Sequence, residues 1–178
     1  QTPDKTIHPS LFQVIEDTLL HHPNPEHSLL AFCDNSSVIK GHSITDLVVN
    51  SNHQSVERYQ HRNYVCTAET HNFPCAISPF PGGATGTGGR IRDVQAVGRG
   101  GLPIAAAAGY CVGPLFDSKH TPPENICHPR DILIQASNGA SDYGNKYGGP
   151  VLYGFARSLA KTSEFPYQWS KPIMFTAG

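Results

Sequence analysis

A glycine- and threonine-rich stretch follows a segment of charged and aromatic residues, and this junction constrains the fold more than any other feature of the sequence. Residues 69 to 93 read ETHNFPCAISPFPGGATGTGGRIRD. Glycine has no Cβ atom, so a glycine-rich chain can turn its backbone N–H groups inward and approach an anion closely. Glu69 and Asp93 offer hard oxygen ligands, and His71 can carry a proton or bind a metal. The stretch predicts a site for phosphate and magnesium.

We expect the glycine-rich part of this stretch to be an open loop with Thr85 and Thr87 as hydroxyl donors. After Gly89, apolar residues spaced three apart predict a short helix whose positive N-terminal end faces the loop. Arg90, Arg92 and Arg99 could add cations, or the first two could form packing salt bridges. The loop is not a Walker A motif, because no Gly-Lys-Ser/Thr follows. A flexible turn without a ligand is the alternative, and the flanking charged residues count against it.

Composition limits the classes of protein. A chain of 178 residues suits one domain, or one domain with an appendage. Its 13 basic and 14 acidic residues are balanced and form no Lys/Arg cluster, which argues against a nucleic-acid or membrane partner. The five cysteines form no CxxC pair, and those at 33, 66 and 111 lie in apolar strand-like runs. We therefore expect reduced core cysteines and a cytoplasmic protein.

Hydrophobic patterns predict a mixture of strands and helices without an internal repeat. Ser10 and Gln13 form a capping box for a helix over residues 11–20, whose apolar residues 11, 12, 15 and 19 should face the core. Further predicted elements are strands at 28–33, 38–39, 63–69, 102–112, 150–156 and 171–177, a helix at 130–137, irregular segments at 40–62 and 114–129, and a second glycine-rich loop at 138–149. Glu69 and His71 would lie at a strand end, a common place for catalytic residues. The class is α+β or mixed α/β.

Four motifs together resemble the phosphoribosylformylglycinamidine synthases. They are Glu69-Thr-His-Asn-Phe-Pro74, the stretch from Pro81 to Asp93, Gly98-Arg-Gly100 and the run SNGASDYGNK at 137–146. Cys33-Asp-Asn-Ser-Ser37 and Lys171-Pro-Ile-Met-Phe-Thr extend the likeness, which is greatest to the large eukaryotic form of the enzyme. The resemblance implies an α+β amino-terminal lobe of the aminoimidazole-ribonucleotide-synthetase-like superfamily, with a mixed sheet flanked by helices. It further implies a linker or helical segment at 1–27 and the incomplete lobe at 28–178.

The resemblance also implies a reaction. Formylglycinamide ribonucleotide, ATP and glutamine would give formylglycinamidine ribonucleotide in de novo purine biosynthesis. ATP would phosphorylate the amide oxygen, and ammonia from a glutaminase domain would displace the phosphate. Such a site must bind two anionic ligands and stabilise developing charge.

Matching positions imply roles for individual residues. His71 would be the catalytic histidine, and Glu69 and Asp93 would be ligands of Mg²⁺. Substrate and nucleotide binding would fall to Asn35, Thr85, Gly86, Thr87, Gly88, Gly89, Arg99, Asn145 and Lys146. Three structural alternatives without a ligand stay open: a packed or capping role for His71, an Asx turn at Asp34-Asn35, and a helix C-terminus and turn at 143–146.

Two departures from the family pattern limit what this segment should do alone. Phe73 stands where the common bacterial form has a second histidine, and an upstream Ser-Glu-His-Cys-Arg-His element is absent. The rest of the synthetase, an expected packing partner, and the glutaminase lie outside the sequence, so we expect a fragment that is inactive alone. The alternative functions are a related ATP-using synthetase, such as an aminoimidazole ribonucleotide or selenophosphate synthetase, and a non-catalytic structural or interaction homologue.

Overall fold

The computed structural model describes residues 9–117 and 121–178, which divide into two compact units. The first unit extends to Tyr64 and the second runs from Val65 to Gly178. Strand β3, Ser55–Thr70, contributes to both. The division at residues 27 and 28 stays a prediction.

The first unit begins with helix α1, Leu11–Leu20. The predicted capping box is confirmed: Gln13 N donates to Ser10 Oγ over 3.2 Å, and Ser10 N donates to Gln13 Oε1 over 2.7 Å. The predicted burial of the apolar face is wrong, because no residue of α1 is buried and Leu11 is 84% exposed. Phe12 makes an edge-to-face contact with Phe32, with ring centroids 5.7 Å apart.

A β-ribbon makes up most of the first unit. β1, Ser28–Leu30, pairs antiparallel with β2, Ser36–Val49, and β2 lies beside β3. The interpretation of residues 40–62 as an irregular surface segment is therefore wrong. The ribbon is held by side chains as well as by its ladder: Asp46 accepts hydrogen bonds from Gln60 and Arg62. The Arg62 guanidinium holds the pKa of Asp46 below its usual value.

The second unit places helices against a sheet. β4, Ala106–Val112, pairs parallel with β5, Val151–Ser158, and antiparallel with β6, Ile173–Ala177, which in turn pairs antiparallel with the end of β3. The helices are α2, Asn72–Ile77, α3, Pro79–Ala96, and α4, Pro129–Lys146. Over the described residues the strand order is β1-β2-β3-β6-β4-β5. The predicted α+β class with a mixed sheet is confirmed.

Small side chains form the core between the sheet and the helices. The buried cluster consists of Cys75, Ala108, Tyr110, Ala136, Ala140 and Met174. Alanines on β4 and α4 let the helix approach the sheet closely, and the Tyr110 hydroxyl donates to the Ala136 carbonyl over 3.5 Å. The expectation of core cysteines is wrong at Cys33 and Cys66, which are exposed, while Cys111 is half-buried.

The glycine-rich stretch is helical, so the predicted loop at 82–89 and the short helix beginning after Gly89 are both wrong. All five glycines of the stretch lie inside α3. A Cβ atom on Gly82 would lie 2.6 Å from the backbone N of Cys75 in α2, and a Cβ on Gly83 would collide with the Ala136 carbonyl in α4. Gly139 of α4 lies equally close to the Phe80 carbonyl. The glycines allow three helices to pack backbone against backbone, and their amides are used within the helix.

The second predicted glycine-rich loop, at 138–149, is also wrong over most of its length. Helix α4 continues to Lys146, and a turn at 147–149 leads into β5. The predicted strand at 102–112 is shorter than expected, because Leu102 and Ile104 are 73% and 69% exposed and precede β4. Among the described residues, no helix is long and apolar enough to cross a membrane.

Candidate functional site

The end of strand β3 places the first candidate residues. Glu69 is paired with Thr176 of β6, and directly opposite residues of an antiparallel pair carry their side chains on the same face. Thr176 is 1% exposed, so Glu69 lies on the helix-covered face of the sheet. His71 is half-buried and follows the strand directly. The prediction that both residues lie at a strand end is confirmed.

Two hydrogen bonds fix the backbone at His71. His71 N donates to the Met174 carbonyl over 3.0 Å, and Met174 N donates to Asn72 Oδ1 over 3.0 Å. Asn72 thus ties the start of α2 to β6. The His71 side chain makes no capping hydrogen bond to α2, so the capping alternative for this histidine is not supported.

Helix α3 passes directly beside His71. A Cβ on Gly86 would lie 2.9 Å from His71 Cβ and 3.0 Å from Met174 Sδ. Gly86, Gly89 and Asp93 are spaced three and four residues apart and therefore share one face of the helix. This face, which we call the 86–93 face, leads from His71 to the buried carboxylate of Asp93.

Gly89 differs from the other glycines of α3. Apart from its own helix backbone, the described residues bring only Arg92 Nη2 within 4.0 Å of a Cβ placed there, whereas Gly82, Gly83, Gly86 and Gly88 meet neighbouring groups at much shorter distances. Packing therefore explains four of the five glycines. Gly89 leaves open space on the 86–93 face, where a ligand could approach the helix.

Asp93 is held by its own neighbour in sequence. Arg92 Nε and Nη2 both donate to Asp93 Oδ1, over 3.1 and 2.9 Å. Asp93 Oδ2 is buried and has no hydrogen-bond partner within the described part of the chain. One carboxylate oxygen is thus neutralised by a guanidinium while the other is left as an available ligand.

The donor set suits a hard cation that takes most of its ligands from elsewhere. Within residues 9–117 and 121–178, no group of three or more His, Cys, Asp or Glu side chains is arranged to hold a metal. Mg²⁺ does not need one, because it keeps several waters and binds through one or two carboxylates and substrate phosphates. The unpartnered Asp93 Oδ2 and the open position at Gly89 fit such an ion.

The remaining predicted residues of α3 and its C-terminal turn differ in their exposure to solvent. Thr85 is exposed, whereas Thr87 is fully buried and its Oγ1 has no partner among the described residues. Arg99 is exposed in a turn between two glycines with positive φ. A phosphate role for Thr87 would require movement of α3.

The predicted nucleotide residues lie apart along the chain. Asn35 is an exposed residue of the first unit, and its N–H donates to Asp34 Oδ1 over 2.7 Å. Asn145 and Lys146 are exposed in the last turn of α4, where Nζ of Lys146 pairs with Asp142 over 2.6 Å. The second unit holds all the other candidates.

Three titratable groups lie under the site without facing solvent. Burial raises the pKa of the Cys75 thiol from 9.0 to about 12 and that of the Tyr110 hydroxyl to about 12, the latter with help from the Cys75 charge. Burial lowers the pKa of Arg90, whose Nη1 donates to the Ala105 carbonyl over 3.4 Å. These groups belong to the core, and Arg90 cannot supply the exposed cation that the sequence suggested.

Two features of the site were missed at the sequence level: the tie made by Asn72 and the helical face that joins His71 to Asp93. Small residues at 82, 86 and 89 followed by Asp93 recur every three or four positions. That helical spacing was the signal, but the low helix propensity of glycine concealed it.

Comparison with known proteins identifies the family of this chain. Residues 48–166 match the family model of the AIR synthase related protein, N-terminal domain. This chain belongs to that family. It is 46% identical to phosphoribosylformylglycinamidine synthase of Dictyostelium discoideum and 47% identical to that of Homo sapiens, over 98% of its length in each case. The chain spans about 14% of the length of these curated relatives.

Solved structures of the family also match. One of them is T. maritima PurL complexed with ADP, which is 28% identical with a TM-score of 0.44, over 65% of this chain and 16% of that chain. The resemblance drawn from the four sequence motifs is confirmed by the names of the curated relatives.

Proposed function

We propose that this chain forms part of an ATP-dependent, glutamine-amidotransferring carbon–nitrogen ligase. The reaction converts formylglycinamide ribonucleotide to formylglycinamidine ribonucleotide in de novo purine biosynthesis, in the cytoplasm. The observation that carries the proposal is the identity of 46–47% over nearly the whole chain to synthases of that name. The position of Glu69 and His71 at the end of β3, and of His71 and Asp93 along the 86–93 face, supports it.

His71 would act on the substrate amide. Its backbone is fixed by the hydrogen bond to Met174, and Gly86 leaves room beside its Cβ. From this position the imidazole can accept the amide N–H proton as the amide oxygen attacks the terminal phosphate of ATP. It can then return that proton to the iminophosphate oxygen as ammonia displaces the phosphate.

The two carboxylates, Glu69 and Asp93, would bind the metal ion of the site. Mg²⁺ bound there would neutralise charge on the phosphate oxygens of ATP. Asp93 would hold the ion through Oδ2, and Glu69, on the same face of the sheet as α3, would contribute a second carboxylate. Gly89 would let the phosphate groups approach the helix, and Arg99 would bind the substrate phosphate.

The test is His71→Ala in the full-length protein, supplied with ammonia so that the glutaminase is bypassed. Synthesis should fall by roughly 10²- to 10⁴-fold, which is the range for loss of a general acid or an oxyanion-stabilising group. Hydrolysis of glutamine should persist. His42→Ala, which removes an exposed histidine of β2, is the control and should leave both activities unchanged.

Normal synthesis by His71→Ala would contradict the role given to this histidine. Absence of synthesis from the unmodified full-length protein would instead favour a non-catalytic homologue.

A further inference from the structure

The contact between Arg92 and Asp93 is unusual for adjacent residues of a helix. Neighbouring side chains on α3 point in directions about 100° apart and do not normally face each other. Arg92 nevertheless reaches Asp93 Oδ1 with two nitrogens. Its side chain must therefore fold back along the helix, and Nη2 comes within 4.0 Å of the Cβ position of Gly89.

The same contact engages one oxygen of the Asp93 carboxylate and leaves the other without a hydrogen bond. An ion pair built for stability engages both carboxylate oxygens in a bidentate arrangement. Here both nitrogens share Oδ1, while Oδ2 is buried without a partner in the described part of the chain. The Asp93 side chain is 11% exposed and that of Arg92 is 76% exposed, so the guanidinium approaches the carboxylate from the solvent side.

Arg92 Nη2 therefore lies at the edge of the open space that Gly89 leaves on the 86–93 face, 4.0 Å from the Cβ position. A side chain that is three-quarters exposed can move away at little cost, because few packing contacts hold it. The carboxylate, in contrast, is fixed by burial in α3. A divalent cation that approaches Asp93 from solvent must displace Arg92, because the exposed guanidinium covers that side of the carboxylate.

We propose that Arg92 is a resident substitute for the divalent cation, holding Asp93 in the ligand-free protein and being displaced when the cation binds. This inference rests on the cation site of the proposed function. It predicts that Arg92 lowers the affinity of the empty protein for metal and keeps Asp93 in place until the metal arrives. The chain offers a matched control in Arg130 and Asp131, a second Arg-Asp pair on a helix, in which both side chains are exposed and lie 3.8 Å apart.

The experiment measures binding of Mn²⁺ alone, without nucleotide, to the full-length protein by electron paramagnetic resonance. Arg92→Met should tighten Mn²⁺ binding by roughly 1.5- to 5-fold, the factor expected for removing one competing, partly exposed ion pair. Arg92→Lys should bind Mn²⁺ with an affinity between those of the unmodified protein and of Arg92→Met, since an ammonium cannot donate from two fixed nitrogens. Arg130→Met should bind Mn²⁺ as the unmodified protein does, and Asp93→Asn should lose the site.

Three results would overturn the inference. Unchanged affinity in Arg92→Met, together with loss of binding in Asp93→Asn, would reject the role of Arg92 and leave the cation site standing. Equal tightening in Arg92→Met and Arg130→Met would assign the effect to net charge. Unchanged binding in Asp93→Asn would reject Asp93 as a cation ligand, and with it this inference, whereas the proposed ligase function is tested separately by His71→Ala.

Discussion

Cys75 shows how burial at one residue controls the response of the second unit to pH. The thiol is 0% exposed, and its Sγ lies 3.4 Å from Met174 Sδ. Because a thiolate is poorly solvated there, burial raises the pKa from 9.0 to about 12. The folded chain therefore keeps the thiol proton to a higher pH than the unfolded chain does.

We predict that the chain loses stability as the pH rises above 9. Between pH 9 and 12 the folded state binds more protons than the unfolded state, so the free energy of unfolding falls by about 1.4 kcal/mol per pH unit for each such group. Tyr110 adds a second contribution above pH 10, because its pKa is raised from 10.0 to about 12. Urea unfolding at several pH values measures the slope.

Cys75→Ala should reduce this slope most clearly between pH 9 and 10, where Cys75 contributes more than Tyr110. Cys33→Ala is the matched control, since Cys33 is exposed and should leave the slope unchanged. An identical slope in Cys75→Ala and the unmodified chain would contradict the assignment.

At the scale of elements, helix α3 has a low intrinsic helix propensity but packs closely against its neighbours. Each glycine in a helix interior costs about 1 kcal/mol relative to alanine, so a helix with five of them forms only because its neighbours stabilise it. Gly83 meets α4 and Gly82 meets α2 at backbone contact. Gly89 packs against neither helix, so its absence of a side chain calls for the functional explanation given above.

Alanine substitutions should separate these two kinds of glycine. Gly83→Ala should destabilise the chain by about 1–3 kcal/mol, because its Cβ would collide with the Ala136 carbonyl. Gly89→Ala should stabilise it by about 0.5–1 kcal/mol through helix propensity, since the added Cβ meets open space. Urea unfolding at neutral pH measures both; equal destabilisation would show that Gly89 also packs.

The elements show what the sequence could and could not predict. The capping box of α1 and the strand that ends before His71 depend on local signals, and both were predicted correctly. The β2–β3 ribbon was missed over residues 40–62 because most of these residues are exposed, so no alternation of apolar and polar residues marks the strands. Helix α3 was missed because its stability comes from α2 and α4, which a local pattern cannot reveal.

At the candidate site, too, the residue types could be predicted from the sequence, but the tertiary contacts could not. Residue chemistry and family resemblance identified Glu69, His71 and Asp93, but assigned the glycines between them to a loop. Only the helix explains why Gly86 is next to His71 and how Arg92 reaches Asp93. The covering helices therefore decide which of the predicted groups can meet a ligand.

At the scale of the whole molecule, the sheet of the second unit has an apolar face that its helices do not cover. Met174 is buried on the helix side, so its neighbour Phe175 lies on the opposite side, with its ring centroid 6.2 Å from that of Phe155. Tyr153 lies two residues from Phe155 on the same face and is 73% exposed. Exposed apolar patches of this kind commonly mark an interface with another protein surface.

We predict that the isolated chain self-associates through this face, which the remainder of a full-length enzyme would otherwise cover. Sedimentation velocity over a wide range of concentration should show species larger than a monomer. Tyr153→Lys should shift the distribution towards monomer, because a charge in the centre of an apolar contact must be desolvated. Tyr59→Lys, at a 76% exposed tyrosine of the first unit, is the control and should have no effect. A single monomeric species at the highest concentration would contradict the prediction, and an equal effect of both substitutions would place the contact elsewhere.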